Sequence, residues 1–372
     1  MAVADADRPP VEGEGSQPSL SIIMPCYNVA GFLPQAFRGI QAQTYGAWEL
    51  ICVDDGSTDG TPDAIRQAAA GDPRIRLVSH ARNQGLAAAR NTGLADARGG
   101  YVWMPDPDDG YDPDLLERAV ARLERDGSDF ALFGCVEELR REDGSLASVH
   151  EVPVPSTVAC EIPLEGAALH AAALDLEEAT LLGYAWNKVY RRSSIKGIEF
   201  EDVPLIEDIL FNISVLDAAR RVSVVDGMPY RYVKRLGANL TNRFVPRYFE
   251  VHRRRIGELY DQQRRWGRDT VQVRSRLGSL FGRYILSSLE RNCDARAGMS
   301  GAARARWVRE LFEDPLFQAL IPAAHAQGDA VLEACLAMLR RRSVTGCLAL
   351  GRSIHVVRGG AGGLYSKLKQ GR

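Results

Sequence analysis

The sequence predicts an α/β domain, with a mostly parallel central sheet and helices on both faces, followed by a mainly α-helical C-terminal domain. Three observations carry that reading. From Ser19 onward short apolar runs alternate with amphipathic ones, as the strands and crossover helices of a parallel sheet do. The turns after those runs are crowded with carboxylates. From Pro246 the chain becomes helical and Arg-rich and loses its strand signals through about residue 342.

Four runs read as strands: Leu20 to Met24 (LSIIM), Trp48 to Val53 (WELICV), Ile75 to Ser79 (IRLVS) and Tyr101 to Met104 (YVWM). Helices are expected between them. The first covers Phe32 to Gln43. The second covers Pro62 to Ala70, with Thr61 as N-cap and Pro62 at the first helical position, and the third covers Leu86 to Ala97, stopped by Gly99 and Gly100. Another helix is expected from Asp112 and Pro113, because Leu115, Leu116, Ala119, Val120 and Leu123 fall on one face. Phe130 to Leu139 and Leu146 to Val152 predict two strands around a turn at Glu142 to Ser145. Residues 160 to 182 read as an Ala-rich helix, a further helix runs through Ile209, Leu210, Ile213 and Leu216, and residues 222 to 233 return to strand character. The expected division is a disordered tail at 1–18, an α/β domain at 19–245, and an Arg-rich helical domain with a basic tail at 246–372.

Composition narrows the class. No apolar stretch approaches the roughly 18 to 20 residues that cross a bilayer. The first 18 residues lack the basic start and apolar middle of a secretory signal. Seven scattered cysteines with no C-x-x-C pair suit a reducing compartment, and Cys26 and Cys52 read as small buried hydrophobes in strands. The six histidines never approach zinc-site spacing, so a metal here would use oxygen ligands. Net charge is only −2, yet residues 251 to 310 hold fourteen Arg and no Lys against six acidic residues, a local +8 that leaves −10 for the rest.

In open α/β sheets the ligand sits beyond the carboxyl ends of the strands. There the sequence places Pro25-Cys26-Tyr27-Asn28, then Asp54-Asp55-Gly56-Ser57-Thr58-Asp59-Gly60-Thr61, then Asp106-Pro107-Asp108-Asp109. Carboxylates brought together repel one another, so a cation or strong donors should accompany them. Two of them spaced Asp-x-Asp at a strand end can turn toward one hard cation that keeps sites open for phosphate oxygens. An acidic surface turn would show the same composition. Neither G-x-x-x-x-G-K-[ST] nor G-x-G-x-x-G occurs, which excludes P-loop and dinucleotide folds, and a nucleotidyltransferase would need a Gly-rich basic loop after the first strand.

Taken in order, these pieces resemble a family 2 glycosyltransferase of the GT-A fold, of the bacterial cell-surface polysaccharide and teichoic-acid type. The resemblance covers roughly residues 19 to 243: the opening strand with Pro25, Tyr27 and Asn28; Gln43-Thr44-Tyr45 with Trp48-Glu49; the Asp54 to Thr61 run; Asn83, Gly85, Ala89-Arg90-Asn91 and Gly93; Asp106-x-Asp108; Trp186-Asn187-Lys188 with Tyr190-Arg191; and Glu207-Asp208. It implies that Pro25 and Tyr27 flank the nucleobase with Asn28 beside them, and that Asp55 accepts a hydrogen bond from a base such as uracil. By the same resemblance Asn83 and Arg90 line the nucleotide pocket, and Asp106 and Asp108 hold Mn²⁺ or Mg²⁺ on the donor diphosphate. Asp208 is the implied general base, and Trp186, Asn187 and Lys188 border the sugar and acceptor site.

Residue chemistry agrees with those roles. Inverting transfer needs a base for the acceptor hydroxyl and an electrophilic clamp for the leaving diphosphate, with no enzyme nucleophile. Asp208 opens an amphipathic helix, where a carboxylate stays ionised, and Glu207 is placed to bind or orient an acceptor hydroxyl. Two departures stand out. Pro107 occupies the middle of the Asp-x-Asp turn, where relatives carry a small residue, which brings Asp109 in as a further candidate ligand. The segment from Tyr230 to Asn242 offers Arg235 and Thr241 as diphosphate contacts in an offset frame.

The expected activity is therefore transfer of a hexosyl or N-acetylhexosaminyl group, from a UDP-sugar by preference, to a glycan, glycolipid or polyol-phosphate acceptor in the cytoplasm. The alternative is an inactive sugar-nucleotide-binding scaffold. Nucleic acid is not an expected partner, because the Arg-rich region carries no reading module. That region admits two readings: a solvated face paired to the acidic N-terminal domain, or a binding face for an anionic glycan or for lipid at the inner membrane surface, which would make the association peripheral.

Overall fold

The computed structural model describes residues 19–159, 161–235, 245, 247–326 and 328–360. The tail at 1–18, the turn holding Thr241 and the basic tail lie outside the described residues. The N-terminal part runs β1 (Leu20–Cys26), α1 (Leu33–Gln41), β2 (Trp48–Asp54), α2 (Thr61–Gly71), β3 (Ile75–Ser79), α3 (Leu86–Asp96), β4 (Tyr101–Trp103), β5 (Gly110–Tyr111), α4 (Leu115–Asp126), β6 (Phe130–Leu132), β7 (Cys135–Arg140) and β8 (Leu146–Val152). It continues through β9 (Leu164–Glu165), α5 (Gly166–Glu178), β10 (Lys188–Arg191), α6 (Glu207–Ala218), β11 (Arg221–Val224) and β12 (Tyr230–Arg235).

Eight strands form one sheet in the order β3-β2-β1-β4-β10-β6-β11-β9, and β5-β12-β7-β8 form a second. β1 is buried along its whole length, as a central parallel strand covered on both faces must be. It pairs in parallel with β2 and β4, and β2 with β3. α3 lies against β1 at a glycine: a Cβ on Gly93 would stand 2.2 Å from Ile23 Cγ2, so only a bare backbone permits this approach. One turn earlier in the same helix stands Arg90.

The sheet is more mixed than the sequence pattern suggests. β10 runs antiparallel between β4 and β6, and β9 is antiparallel to β11. The expected strand over Phe130 to Leu139 is split. It breaks at Phe133-Gly134, and its halves join different sheets, because a Cβ on Gly134 would lie 2.7 Å from the Val152 carbonyl and the chain can turn that corner only there. Thr61 is not the N-cap of α2 but its first residue: Asp59 accepts its N–H at 2.9 Å, and its hydroxyl accepts the Val29 N–H at 2.9 Å.

Beyond residue 245 the described elements are helical: α7 (Tyr248–Arg265), α8 (Val271–Arg291), α9 (Gly301–Glu313), α10 (Pro315–Leu320), α11 (Ala330–Arg340) and α12 (Val344–Gly360). α7 lies on α6, where Gln262 Nε2 donates to the Ile213 carbonyl at 2.9 Å. The arginines of this stretch face carboxylates of the N-terminal part: Arg254 pairs with Glu201, Arg255 with Glu177, Arg265 with Asp217, and Arg276 with Asp175 and Glu178. Others pair within the helical part, as Arg274 does with Asp269 and Arg296 with Asp294. Of the two readings of the Arg-rich stretch, the structure displays the internal pairing. No helix among the described residues is long and apolar enough to cross a membrane.

His252 of α7 gives this region a pH signature. It is 7% exposed, stacks on Tyr284 with ring centres 4.0 Å apart, and leaves Nδ1 without a partner. Burial, then the charges of Arg255 and Arg291, push its pKa down to about 3. Between pH 3 and 6.5 the unfolded chain therefore binds more protons than the folded one, so stability is complete above pH 6.5 and is lost as pH falls toward 3. Relative to a His252→Phe variant, the parent should lose about 2 kcal/mol between pH 7 and pH 5. Urea unfolding of both proteins at the two pH values checks this, and parallel losses would remove His252 as the cause.

Candidate active site

The loops after β1 and β2 are laced together at the carboxyl edge of the sheet. Pro25 is buried within β1, whereas Tyr27 is 47% exposed at its end. Asn28 takes a left-handed backbone (φ +53), its N–H donates to Ser57 Oγ at 3.0 Å, and its Oδ1 accepts the Thr58 N–H at 2.9 Å. Asp55 is 3% exposed and clamps the next loop: its Oδ1 meets His80 Nδ1 at 2.7 Å and the Gln84 N–H at 2.9 Å, and its Oδ2 accepts the Gly85 N–H at 2.8 Å. Gly56 (φ +69) permits this, because a Cβ there would stand 2.6 Å from the Asn83 nitrogen. Asn83 itself is exposed beside the clamp.

The acidic turn follows β4. Asp106 and Asp108 keep partly open side chains, 27% and 32% exposed, and each faces a guanidinium: Asp106 that of Arg90 at 3.3 Å, and Asp108 that of Arg235 at the end of β12. Arg235 also lies 4.3 Å from the ring centre of Phe32. Asp109 turns out differently. It is 4% exposed, and its two oxygens accept the Tyr230 hydroxyl at 2.6 Å and the Val233 N–H at 2.8 Å, which fastens the turn to β12. Burial, then the charges of Asp106 and Asp108, hold the Asp109 carboxyl well above the ordinary carboxylate range. Asp106 is pushed up to about 7 by burial, against the opposing pull of Arg90.

Arg90 joins this turn to the start of α6. Its side chain is 1% exposed, and it bonds Asp106 on one side and Asp208 Oδ1 on the other. Burial disfavours the guanidinium charge, but Asp208 and Asp106 outweigh it, and its pKa stands above the ordinary value. Asp208 is held on its other oxygen as well, where Oδ2 accepts the Ala185 N–H at 3.2 Å. Its neighbour Glu207 has a buried Oε2 with no partner, and burial followed by the Asp208 charge pushes its carboxyl up to about 7. Just upstream, Leu205 takes φ +75, a conformation that costs an apolar residue energy and that clusters at functional sites.

Trp186, Asn187 and Lys188 do not open toward this site. Trp186 is 2% exposed and sandwiched between Tyr230 (ring centres 4.3 Å apart) and Tyr184 (4.5 Å). Asn187 Nδ2 donates to the Leu181 carbonyl at 3.0 Å. Lys188 Nζ lies within 3.1 Å of the carbonyls of Leu181, Leu182 and Tyr184 and of Asn187 Oδ1. The sequence shows which polar groups are present, but not that unpaired backbone carbonyls nearby would claim them. From sequence, His80, Asn212, Tyr230 and Tyr190 receive no role, although Tyr190 belongs to the motif that carries the resemblance. His80 follows β3 directly, and Asn212 stands one helical turn after Asp208, so the strand-end and helix-face rules reach both.

Residues 21–144 match the family described as Glycosyl transferase family 2. That stretch holds Asp55, Arg90, Asp106 and Asp108, and it ends before Asp208. The chain is 30% identical to the uncharacterized glycosyltransferase EpsJ of Bacillus subtilis (strain 168), over 58% of its own length and 61% of that protein's. It is 36% identical to the succinoglycan biosynthesis protein ExoO of Rhizobium meliloti (strain 1021), over 31% of its length and 32% of that protein's. It thus spans less than two thirds of the length of these curated relatives. Among solved structures, TarS 1-349 of S. aureus in complex with UDP-GlcNAc superposes with a TM-score of 0.61 at 20% identity, covering 90% of this chain and 91% of that one. That likeness shows the fold, which is of GT-A type with a mixed central sheet, followed by a helical C-terminal region.

Proposed function

We propose that this protein is an inverting glycosyltransferase that moves a hexosyl or N-acetylhexosaminyl group from a UDP-sugar to a hydroxyl of a cell-surface glycan, glycolipid or polyol-phosphate. The observation that carries this reading is the convergence of Asp106 and Asp208, about a hundred residues apart in sequence, on the buried Arg90, with Asp108 in the same turn. The family match and relatives named for glycosyl transfer and succinoglycan biosynthesis support the reaction class. The UDP-GlcNAc complex of TarS supports the donor class.

Asp106 and Asp108 fit a divalent cation. They are the open carboxylates of the turn, each already facing a positive group, and two hard oxygens suit Mn²⁺ or Mg²⁺ with positions left for diphosphate oxygens. Among the described residues no group of three or more potential ligands stands assembled, so donor and water would supply the remainder. Asp109 is omitted, because Tyr230 and Val233 already take its oxygens. The ion, when bound, supplies charge neutralisation on the leaving diphosphate.

Asp208 takes the proton of the acceptor hydroxyl as the acceptor oxygen bonds the anomeric carbon and the bond from that carbon to the diphosphate oxygen breaks. Arg90 fixes the base in place. Glu207, next to the base, is the candidate for orienting a second acceptor hydroxyl. Arg235, beside Asp108 and Phe32, is placed to meet a phosphate, and Thr241 stays a candidate for the same role. Association with the inner membrane face lacks a comparable support, because many of the arginines that would provide it, Arg254, Arg255, Arg265 and Arg276 among them, face carboxylates of the protein.

For the base, Tyr27 offers an exposed ring, and Asp55 Oδ2 accepts one hydrogen bond and so keeps a lone pair for the imide N–H of uracil. UDP should therefore bind at least tenfold more tightly than GDP in titration calorimetry with Mn²⁺ present, about 1.4 kcal/mol in favour of the smaller ring. Equal affinities would remove Asp55 and Tyr27 as readers of the base.

A further inference from the structure

The polar ends of Asn187 and Lys188 touch no ligand-facing surface, yet they are gathered at one segment of backbone, residues 181–185, which belongs to neither helix nor strand. Such a segment has no hydrogen-bond ladder of its own to hold its shape. We propose that Lys188 is a positioning residue for Asp208, acting through the backbone of residues 181–185. This rests on the reading of Asp208 as the general base.

The geometry forms a continuous chain. All four atoms around Lys188 Nζ are acceptors, at 3.0, 3.1, 2.6 and 2.7 Å, so the ammonium supplies every proton at that point, and its three N–H groups draw the carbonyls of Leu181, Leu182 and Tyr184 toward one centre. Asn212, on α6, donates to the Tyr184 carbonyl at 3.0 Å and to the Asp208 carbonyl at 2.9 Å, which ties the segment to the helix that carries the base. The Tyr190 hydroxyl holds Asn212 Oδ1 at 2.9 Å and lies 3.3 Å from the Ala185 carbonyl. The product of these contacts is the Ala185 N–H, directed at Asp208 Oδ2.

Asp208 is thus gripped from two sides, by Arg90 on Oδ1 and by this N–H on Oδ2. Without Lys188 the three carbonyls lose the hydrogen-bond donor that gathers them. The Ala185 N–H then drifts, and Arg90 alone sets the carboxylate, drawing it toward Asp106 and away from the acceptor hydroxyl. A misplacement on the order of 1 Å at a reacting group reduces rate by roughly 10²-fold. Donor binding should not change, because among the described residues no hydrogen bond joins Lys188 or the 181–185 segment to the nucleotide-side loops at Asp55 or Asp108.

The test is a double-mutant cycle on the full chain, using the UDP-sugar that the parent turns over fastest, with single-turnover rate and UDP affinity measured for every variant. Lys188→Met should lower the rate by roughly 10- to 100-fold with UDP affinity unchanged. In an Asp208→Asn background the same substitution should lower it less than about twofold, because a positioning residue has nothing left to position. Should Lys188→Met not fold, Tyr190→Phe carries the cycle, with a smaller loss, about three- to tenfold, that again vanishes in the Asp208→Asn background. A folded Lys188→Met protein at the parent rate overturns the proposal, as does an equal loss in both backgrounds, which would mark a purely structural residue. A parent-like rate in Asp208→Asn alone is a separate result. It removes the base assignment first, and the proposal with it.

Discussion

Asp208→Asn should lower transfer by ~10² to 10⁴, the range a positioned general base contributes, while UDP binding stays within about twofold of the parent. The structure makes this a discriminating substitution. Asparagine keeps the size and can still accept the Ala185 N–H, so the segment at 181–185 has reason to stay in place. What disappears is the negative charge facing Arg90 and the site that receives the acceptor proton. Losing the charge leaves Arg90, 1% exposed, with Asp106 as its remaining ion-pair partner there, so a modest fall in stability should accompany the loss of rate. Turnover and calorimetric UDP affinity measured on one preparation separate the two effects. Turnover near the parent's would remove Asp208 from the chemistry.

Chelation should have an effect of similar size. With Asp106 and Asp108 as the protein's share of a cation site, excess EDTA should lower transfer by about 10³-fold, the equivalent of several kcal/mol of charge stabilisation at the leaving diphosphate. Mn²⁺ or Mg²⁺ should restore it, and Zn²⁺ should do so poorly, since the turn offers oxygens rather than thiolate or imidazole. A readout independent of catalysis is available. Mn²⁺ together with UDP should raise the melting temperature of the parent by mass action but not that of Asp106→Ala. Full activity in excess chelator, or equal stabilisation of both proteins, would contradict the assignment.

The fold was legible where burial is symmetric. β1, β2 and β3 were read within two residues of their observed ends, because runs such as LSIIM and WELICV are buried on both faces and bounded by turn residues. The antiparallel β10 was not readable as a strand of the main sheet: KVYR is four residues long, and its first side chain serves backbone carbonyls rather than packing. Within the site, the positions of Asp106, Asp108 and Asp208 at a strand end and a helix start followed from sequence. Their meeting on Arg90 did not, because nothing in local pattern reports a contact between positions 90 and 208.

Asp109 and Lys188 show the limit most clearly. An exposed acidic turn and a ligand-facing lysine look the same in sequence as a carboxylate gripped by Tyr230 or an ammonium gripped by three carbonyls. Only tertiary placement tells which donors and acceptors are already satisfied. The Arg-rich stretch teaches the same lesson at larger scale. Its charge was plain, while its partners Glu177, Glu201 and Asp217 lie in elements far upstream.

The measurement that bears most directly on the central claim is UDP release from a panel of UDP-sugars by the parent protein in Mn²⁺, with and without excess EDTA and with Asp208→Asn as control. A nucleotide-sugar-dependent transferase should release UDP from at least one member of the panel above the rate of buffer alone, and that release should disappear with EDTA and fall by ~10² or more in the variant. Tight UDP binding with no release from any UDP-sugar, in the presence of hydroxyl acceptors, would contradict an enzyme and leave a sugar-nucleotide-binding scaffold.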